Sequence, residues 1–214
     1  MNIQTLIDKA LEPSKEPRKR SGKFSPSSFG RCYRYQIWYR QDKTPDSPID
    51  ARTRRIFKVG DIFHDFVKQT ILQTHPDAKT EVRIDLPDVL GFCDIELPTE
   101  VIEIKSQHSK GFWWMSKKGY DIKVEKYTNI LQLMFYVANL NKDRGRLVYI
   151  SKDDLCINEY EFSLNEYWRG EVDKELKTLR EYWESGELPP AEPKAYNGKE
   201  CKFCGYQIEC KEVK

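Results

Sequence analysis

The chain has 214 residues, of which 39% are hydrophobic and 13% aromatic, and its formal net charge is +2. This length and composition predict one folded unit with a substantial core. The sequence contains neither an apolar run of about 18 residues nor the apolar segment of a secretory signal near its start, which excludes a membrane-spanning segment and predicts a cytoplasmic protein, in a host cell if the gene is viral.

The N-terminal part of the chain is strongly basic. Eight Lys or Arg residues and a single acid, Glu16, lie between Lys15 and Arg40. Such a local charge suits a polyanion better than the net charge implies. The pattern predicts a flexible basic arm over residues 1–24 and a single domain over residues 25–214.

Two helices are predicted next. The stretch "SPSSFGRCYRYQIWYR" has Ser and Pro at helix-start positions and predicts an aromatic-rich helix that holds Cys32. From Arg54 to Leu72, apolar residues at helical spacing predict a packed helix. Its apolar residues are Ile56, Val59, Phe63, Phe66 and Val67.

Strand patterns dominate the middle of the chain. The stretches "TEVRIDL", "LGFCDIEL" and "VIEIKSQ" are separated by turn-forming residues and predict an antiparallel meander. The segment "TNILQLMFYVANL" is apolar nearly all round and predicts a buried helix. The stretches "GRLVYIS" and "CINEYEFS" predict two more strands, and the capping-box spacing of Ser163 and Glu166 predicts the start of a long helix that ends near "SGELPP".

Two carboxylates and a lysine interrupt the apolar strands. In "VIEIKSQ", Glu103 and Lys105 share one face because side chains alternate along a strand. Asp94, on the preceding strand, can lie beside Glu103, and such a pair repels unless a cation lies between the two acids. Oxygen ligands of this kind suit Mg²⁺ or Mn²⁺, and the lysine can orient a water for phosphodiester hydrolysis. Cross-strand acids and bases are also common surface features, so the motif alone leaves both interpretations open.

Two helical patterns add candidates. Gly60 precedes His64 by one turn in "GDIFH", and Gln132 and Tyr136 lie at i and i+4 in "QLMFY". Taken singly, a buried structural histidine and a packing pair are the commoner interpretations.

The order of these motifs resembles the RecB-type branch of the PD-(D/E)XK nucleases. That resemblance implies an α/β, restriction-endonuclease-like fold with a mixed central sheet flanked by helices. It implies a divalent ion bound by His64, Asp94, Glu103 and the carbonyl of Ile104, with Lys105 as the catalytic lysine. Gln132 and Tyr136 would support the site and the substrate. The family's Pro-Asp pair is here Cys93 and Asp94, which preserves the acid.

The cysteines extend the resemblance. Cys201, Cys204 and Cys210 are spaced C-x2-C-x5-C, and Cys32 lies far upstream. Four thiolates can hold a [4Fe-4S] cluster or a structural zinc, and spacing does not separate the two. The arrangement resembles AddB-type nuclease domains, CRISPR-associated RecB-family exonucleases and their phage relatives, which favours the cluster and implies that it joins the N- and C-terminal segments. Cys93 and Cys156 lie in strand patterns and are predicted to be buried.

Basic and aromatic residues indicate a DNA path. The stretch after the Glu103 strand interleaves lysines with aromatic residues, a composition that suits single-stranded DNA. Arg31 and Arg34 form a second candidate wall. The predicted DNA-binding residues are Arg31, Arg34, Lys110, Trp113, Trp114, Lys117 and Lys118.

The sequence therefore predicts a metal-dependent DNA nuclease, more readily an exonuclease acting on single-stranded DNA or DNA ends. A structure-selective endonuclease and a non-catalytic DNA-binding subunit on the same fold are alternatives, as is a zinc-ribbon interaction protein. Recombination, repair and CRISPR adaptation are all possible settings, each with its own protein partners.

Overall fold

The described residues form a mixed sheet with helices on both faces. A computed structural model describes residues 2–13, 19–46 and 49–213. In chain order the elements are α1 (Ile3–Ala10), α2 (Tyr33–Arg40), α3 (Ala51–Thr74), β1 (Lys79–Asp85), β2 (Leu90–Glu96), β3 (Val101–Gln107), α4 (Ser109–Trp114), α5 (Ile122–Glu125), α6 (Tyr127–Asn139), β4 (Arg144–Ser151), β5 (Ile157–Ser163), α7 (Glu166–Ser185) and α8 (Gln207–Glu212). Within this part of the chain, no helix is long and apolar enough to span a bilayer.

The sheet has the order β1-β2-β3-β4-β5. Strands β1, β2 and β3 pair antiparallel, β3 and β4 pair parallel, and β4 and β5 pair antiparallel. The parallel pair requires a crossover, which α4, α5 and α6 supply. The predicted meander and the mixed α/β sheet flanked by helices are confirmed.

The core lies on both faces of this sheet. The larger part packs α6 and α7 against one face, and every residue of α6 from Ile130 to Val137 is buried, as the apolar pattern predicted. The smaller part lies under α3, where Val67 contacts a cluster that includes Ile95 and Ile104. Gly91 of β2 allows close packing on the α6 side of the sheet, because a Cβ there would lie 2.8 Å from Pro26 Cγ and 2.9 Å from Tyr136 Cε1.

Helix α3 is packed along a narrower stripe than the sequence predicted. Val67 is buried and Phe63 packs partly against the smaller core, but Ile56, Val59 and Phe66 are 41%, 39% and 55% exposed. The helix contacts the sheet along a line through Phe63 and Val67, so apolar residues to one side of that line remain exposed.

Three local predictions are wrong in detail. The N-cap of α7 is Asn165, whose side chain accepts the Trp168 N–H at 3.0 Å, rather than Ser163. Cys156 is exposed and lies just before β5 rather than buried within a strand. Cys32 is the N-cap residue of α2 and not part of the helix itself.

The N-terminal segment also differs from the predicted flexible arm. Residues Ile3–Ala10 form α1, whose N-cap Asn2 accepts the Thr5 N–H. Phe24 is buried, and its backbone forms a bridge with Val89. Residues 14–18 of the predicted arm lie outside the described residues. The end of the predicted arm is therefore part of the folded domain.

Candidate active site

Asp94 and Glu103 meet where two strands separate. Strands β2 and β3 pair through Ile95 with Ile102 and through Glu96 with Val101. The next positions along this register are Asp94 and Glu103. Here the Asp94 side chain takes the place of a backbone hydrogen bond between the two strands, because its Oδ2 accepts the backbone N–H of Ile104 at 2.7 Å. The two acids therefore lie side by side in an opening of the sheet.

Asp94 is a buried, ionised carboxylate. Its Oδ1 lies 3.5 Å from Nδ1 of His64, which α3 brings across the sheet. Burial alone would raise the pKa of Asp94, but the hydrogen bond from His64 and the charge of Lys105 hold it below its usual value. The predicted proximity of His64 to Asp94 is thus present in the structure.

Glu103 and Lys105 form an ion pair on one face of β3. Lys105 Nζ lies 2.6 Å from Glu103 Oε1. Burial and the charge of Asp94 raise the pKa of Glu103 to about 7. Burial alone would lower the pKa of Lys105, but the charges of Glu103 and Asp94 raise it. The second oxygen of Glu103, Oε2, is buried and has no hydrogen-bond partner in the described part of the chain.

Helix α6 supplies the third side of the site. Gln132 donates through Nε2 to Glu103 Oε1 at 2.8 Å and accepts from Lys105 Nζ through Oε1 at 3.1 Å. Its Nε2 also lies 3.4 Å from the hydroxyl of Tyr136. Gln132 therefore fixes both members of the ion pair, and the i, i+4 pattern placed it and Tyr136 on the correct face.

A cavity of about 690 Å³ opens onto these residues. Besides Asp94, Glu103 and Lys105, its lining includes three basic residues that the sequence assigned to the flexible arm: Lys19, Arg20 and Lys23. Arg20 donates to the Tyr39 carbonyl at 3.0 Å and to the Tyr206 hydroxyl at 3.1 Å, which fixes this wall. The local excess of positive charge was visible in the sequence, but its position beside the acids was not.

The carboxylates fit a divalent cation in their donor chemistry. Among residues 2–13, 19–46 and 49–213, no three His, Cys, Asp or Glu side chains lie close enough to bind one ion. However, a buried carboxylate oxygen without a partner is costly in free energy, and the oxygens of Asp94 and Glu103 are hard ligands of the kind that Mg²⁺ and Mn²⁺ prefer. The orphan Oε2 of Glu103 is where such an ion would be bound.

The four predicted cluster cysteines come from distant parts of the chain to one region. Burial and the neighbouring Glu200, Cys32 and Cys210 raise the pKa of the Cys201 thiol. Burial also raises the pKa of the Cys204 thiol, with smaller contributions from Cys201 and Cys210. None of the six cysteines, all of which lie in the described part of the chain, forms a disulfide bond. The buried carboxylate of Glu200 fixes this region, since it accepts the backbone N–H groups of Cys32 at 2.9 Å and of Ala195 at 2.6 Å.

Two N–H groups point at cysteine sulfurs. Arg34 Nη1 lies 3.6 Å from Cys210 Sγ, and the backbone N–H of Tyr206 lies 3.5 Å from Cys204 Sγ. Hydrogen bonds of this kind stabilise thiolates that bind metals or iron-sulfur clusters. Both sulfurs thus have a hydrogen-bond donor, but among the described residues no three Cys, His, Asp or Glu side chains lie close enough to bind one metal ion.

Arg34 is not available as a DNA contact. It is buried, and its guanidinium donates to the carbonyls of Pro189 at 2.7 Å and of Val213 at 3.1 Å. Its role is to join α2 to the C-terminal segment. Arg31 stacks on the ring of Tyr35, with 3.6 Å between the guanidinium carbon and the ring centre, and its DNA contact stays a prediction.

The remaining predicted DNA-binding residues form an exposed surface at α4. Trp113 and Trp114 are exposed, and Lys117 Nζ lies 3.3 Å from the centre of the Trp113 ring. Lys110 and Lys118 are exposed as well. The structure therefore brings the aromatic and basic residues of this stretch to the surface.

Several solved structures share the fold of the chain. A structure described as SSO0001 has a TM-score of 0.61 at 22% identity and covers 98% of this chain and 96% of that chain. The alkaline exonuclease LHK-Exo from Laribacter hongkongensis has a TM-score of 0.59 at 16% identity, covering 78% and 90%, and is also known in complex with dAMP. A phage-related exonuclease from Haemophilus somnus 129PT has a TM-score of 0.50 at 11% identity, covering 86% and 97%.

No protein-family model and no curated protein sequence matches the chain. The structural likenesses show that the chain has the mixed-sheet α/β fold of these exonucleases, which is the fold that the sequence resemblance implied.

Proposed function

We propose that the chain is a divalent-metal-dependent deoxyribonuclease that acts as an exonuclease on single-stranded DNA or DNA ends. The observation that carries this proposal is the buried Oε2 of Glu103, which has no hydrogen-bond partner among the described residues and lies beside ionised Asp94 and the ammonium of Lys105. Burying two acids at the wall of a basic cavity costs free energy, and DNA binding alone does not require it. The exonucleases that share the fold support the same conclusion.

Asp94, Glu103, His64 and the carbonyl of Ile104 would hold the Mg²⁺ or Mn²⁺ ion. When bound, such an ion activates a water and neutralises charge that develops on the phosphate. The ion pair between Lys105 and Glu103 places the ammonium beside the proposed metal ligands, where it contacts a phosphate oxygen or orients the attacking water. Gln132 holds that ammonium in place, and Tyr136 supports Gln132.

The DNA strand would enter along the basic wall of the cavity. Lys19, Arg20 and Lys23 line the same cavity as the acids, so they attract phosphates that the carboxylates alone would repel. Lys110, Trp113, Trp114, Lys117 and Lys118 would continue the path by stacking on unpaired bases and pairing with phosphates. Arg31 is a further candidate contact.

Cys32, Cys201, Cys204 and Cys210 would hold a [4Fe-4S] cluster, with zinc as the less favoured occupant. The hydrogen bonds to the sulfurs of Cys204 and Cys210 support a thiolate-bound group. Its role would be structural, because it would join α2 to the segment that contains α8 and so close a loop of nearly the whole domain.

The test is cleavage of end-labelled single-stranded DNA by anaerobically purified protein with Mn²⁺. Lys105→Ala and an EDTA control are run beside the native protein. We expect degradation that disappears in both controls. Full cleavage by Lys105→Ala, in protein that unfolds like the native chain, would overturn the assignment.

A further inference from the structure

A second cavity lies at the end of β3, just beyond Glu103 and Lys105. Glu103, Lys105 and Gln107 lie on one face of this strand, and Gln107 lines a cavity of about 500 Å³ that is separate from the catalytic one. Two residues of a strand span about 7 Å, so the cavity begins one short step beyond Lys105. Its volume lies within the range of ligand sites, roughly 300–1,000 Å³.

The side chain of Gln107 is fixed at the cavity wall. Its Oε1 accepts a hydrogen bond from Lys126 Nζ at 3.1 Å. Its amide lies so close to α4 that a Cβ on Gly111 would be 2.2 Å from Nε2. A Cβ at this position would therefore displace the Gln107 amide from its place at the cavity wall.

Lys126 brings a positive charge to the cavity, and its hydrogen-bond acceptor there is a neutral amide. Its ammonium contacts the neutral oxygen of Gln107 and lies 5.5 Å from the centre of the Tyr149 ring, and within the described ranges it forms no ion pair. Burial lowers its pKa. An anion beside this half-buried ammonium would be stabilised, because among the described residues the ammonium is hydrogen-bonded only to a neutral acceptor.

Two aromatic residues, Trp114 and Tyr120, complete the lining. Trp114 is 58% exposed and presents its ring at the cavity. Tyr120 also lines it, and the buried Tyr120 hydroxyl has no hydrogen-bond partner among the described residues. Because that hydroxyl is buried, the exposed ring of Trp114 and the side-chain amide of Gln107 are the groups that suit a heterocyclic base with polar edges.

The acid in the lining is already engaged. Glu125 accepts hydrogen bonds from Asn197 Nδ2 at both carboxylate oxygens, at 3.0 and 3.1 Å. Lys110 also lines the cavity and adds a second positive charge. The two lysines outnumber the one carboxylate, so the charge of the lining favours an anion.

We propose that this cavity is a subsite for one nucleotide of the DNA strand, the nucleotide adjacent to the scissile phosphate. Lys126 contacts the phosphate, Trp114 stacks on the base, and Gln107 bonds to the base edge. This inference rests on the proposed nuclease function, because the subsite is defined by its distance from Lys105.

The experiment measures binding and not cleavage. A fluorescently labelled 12-nucleotide single strand is titrated with protein in EDTA, and anisotropy is followed at several salt concentrations. The variants are Lys126→Ala, Trp114→Ala and Gly111→Ala, and Lys177→Ala is the charge-matched control, since Lys177 lies on α7 and pairs with Glu181.

We expect the three cavity variants to weaken binding by about tenfold each, and Lys126→Ala to reduce the salt dependence by about one phosphate contact. Lys177→Ala should bind like the native protein. Unchanged affinity in Trp114→Ala and Lys126→Ala would overturn the subsite. Trp114 is exposed, so its variant decides the question even if Lys126→Ala does not fold.

The two proposals fail in different ways. If the native protein binds the strand through this cavity but never cleaves DNA, the nuclease function is overturned and the nucleotide site stands. If it cleaves DNA and the cavity variants bind normally, the nuclease stands and the subsite is overturned.

Discussion

The Asp94 carboxylate accepts the backbone N–H of Ile104 at 2.7 Å, at the point where β2 and β3 stop pairing. One side chain thus has two roles: it satisfies a buried backbone donor with one oxygen and faces His64 with the other. The structural and chemical roles of Asp94 can be separated, because an amide retains the first and loses the charge that the second requires.

Asp94→Asn should therefore fold like the native protein and lose cleavage. Asp94→Ala should lose cleavage and also about 1–3 kcal/mol of stability, because the buried Ile104 N–H then has no acceptor. Thermal unfolding and cleavage of labelled DNA measure the two effects. Equal stability of the Asn and Ala variants would show that the hydrogen bond to Ile104 contributes little.

Gln132→Leu should lower the rate of cleavage by about 10- to 100-fold while the fold is retained. The reason is that Gln132 holds both Glu103 and Lys105, and partners of this kind orient groups that contact the metal or the substrate. The loss should appear in kcat more than in KM. Asn139→Ala, at the far end of the same helix, is the control and should cleave normally.

The cysteine site gives a prediction that does not depend on cleavage. Cys32→Ser and Cys210→Ser should lose iron and the visible absorbance of a cluster in anaerobically purified protein. Cys156→Ser should keep both, because Cys156 is exposed and lies outside the group. Stoichiometric zinc in place of iron would show that the thiolates hold a structural zinc ion. Neither metal in the native protein would contradict the site altogether.

Glu175 should make stability depend on pH. It is buried in α7, where it accepts the Gly30 N–H at 2.9 Å and the Gln36 amide at 2.8 Å. Burial raises its pKa above the ordinary value of 4.5, so the folded protein holds this proton to higher pH than the unfolded chain. Its stabilising contribution is complete below about 4.5 and is lost as pH rises through the raised folded value.

Glu175→Gln keeps an acceptor for Gly30 and cannot ionise. We expect the stability of the native protein, relative to this variant, to fall between pH 4.5 and neutrality. Urea unfolding of both proteins at several pH values, at matched metal content, measures the difference. A constant difference across this range would show that Glu175 has the same pKa in both states.

The sequence predicted the elements whose signal is local. Alternation placed Glu103 and Lys105 on one face of β3, and an all-round apolar pattern predicted α6. The burial of Arg34 could not be predicted from a local pattern, because a basic residue on a short helix is expected to be exposed. Its carbonyl acceptors belong to Pro189 and Val213, more than 150 positions away, and no local pattern records them.

The same limit explains the N-terminal segment. Its composition is that of a solvated arm. The helix and strand propensities of its residues do not predict that the segment from Lys19 to Phe24 is held against the domain. What fixes it is tertiary: Phe24 enters the core and Lys23 pairs with Asp85 at 2.6 Å. The composition did record the excess of positive charge, but its position beside the acids depended on the fold.

The hydrogen bond between Arg20 and the Tyr206 hydroxyl has a consequence for synthesis of the protein. The ribosome makes residue 206 long after it has made residue 20 and the acids at 94 and 103. The basic wall cannot take its final position until Tyr206 has emerged. A nascent chain of this protein therefore contains Asp94, Glu103 and Lys105 before the contact between Arg20 and Tyr206 can complete the basic wall of the cavity.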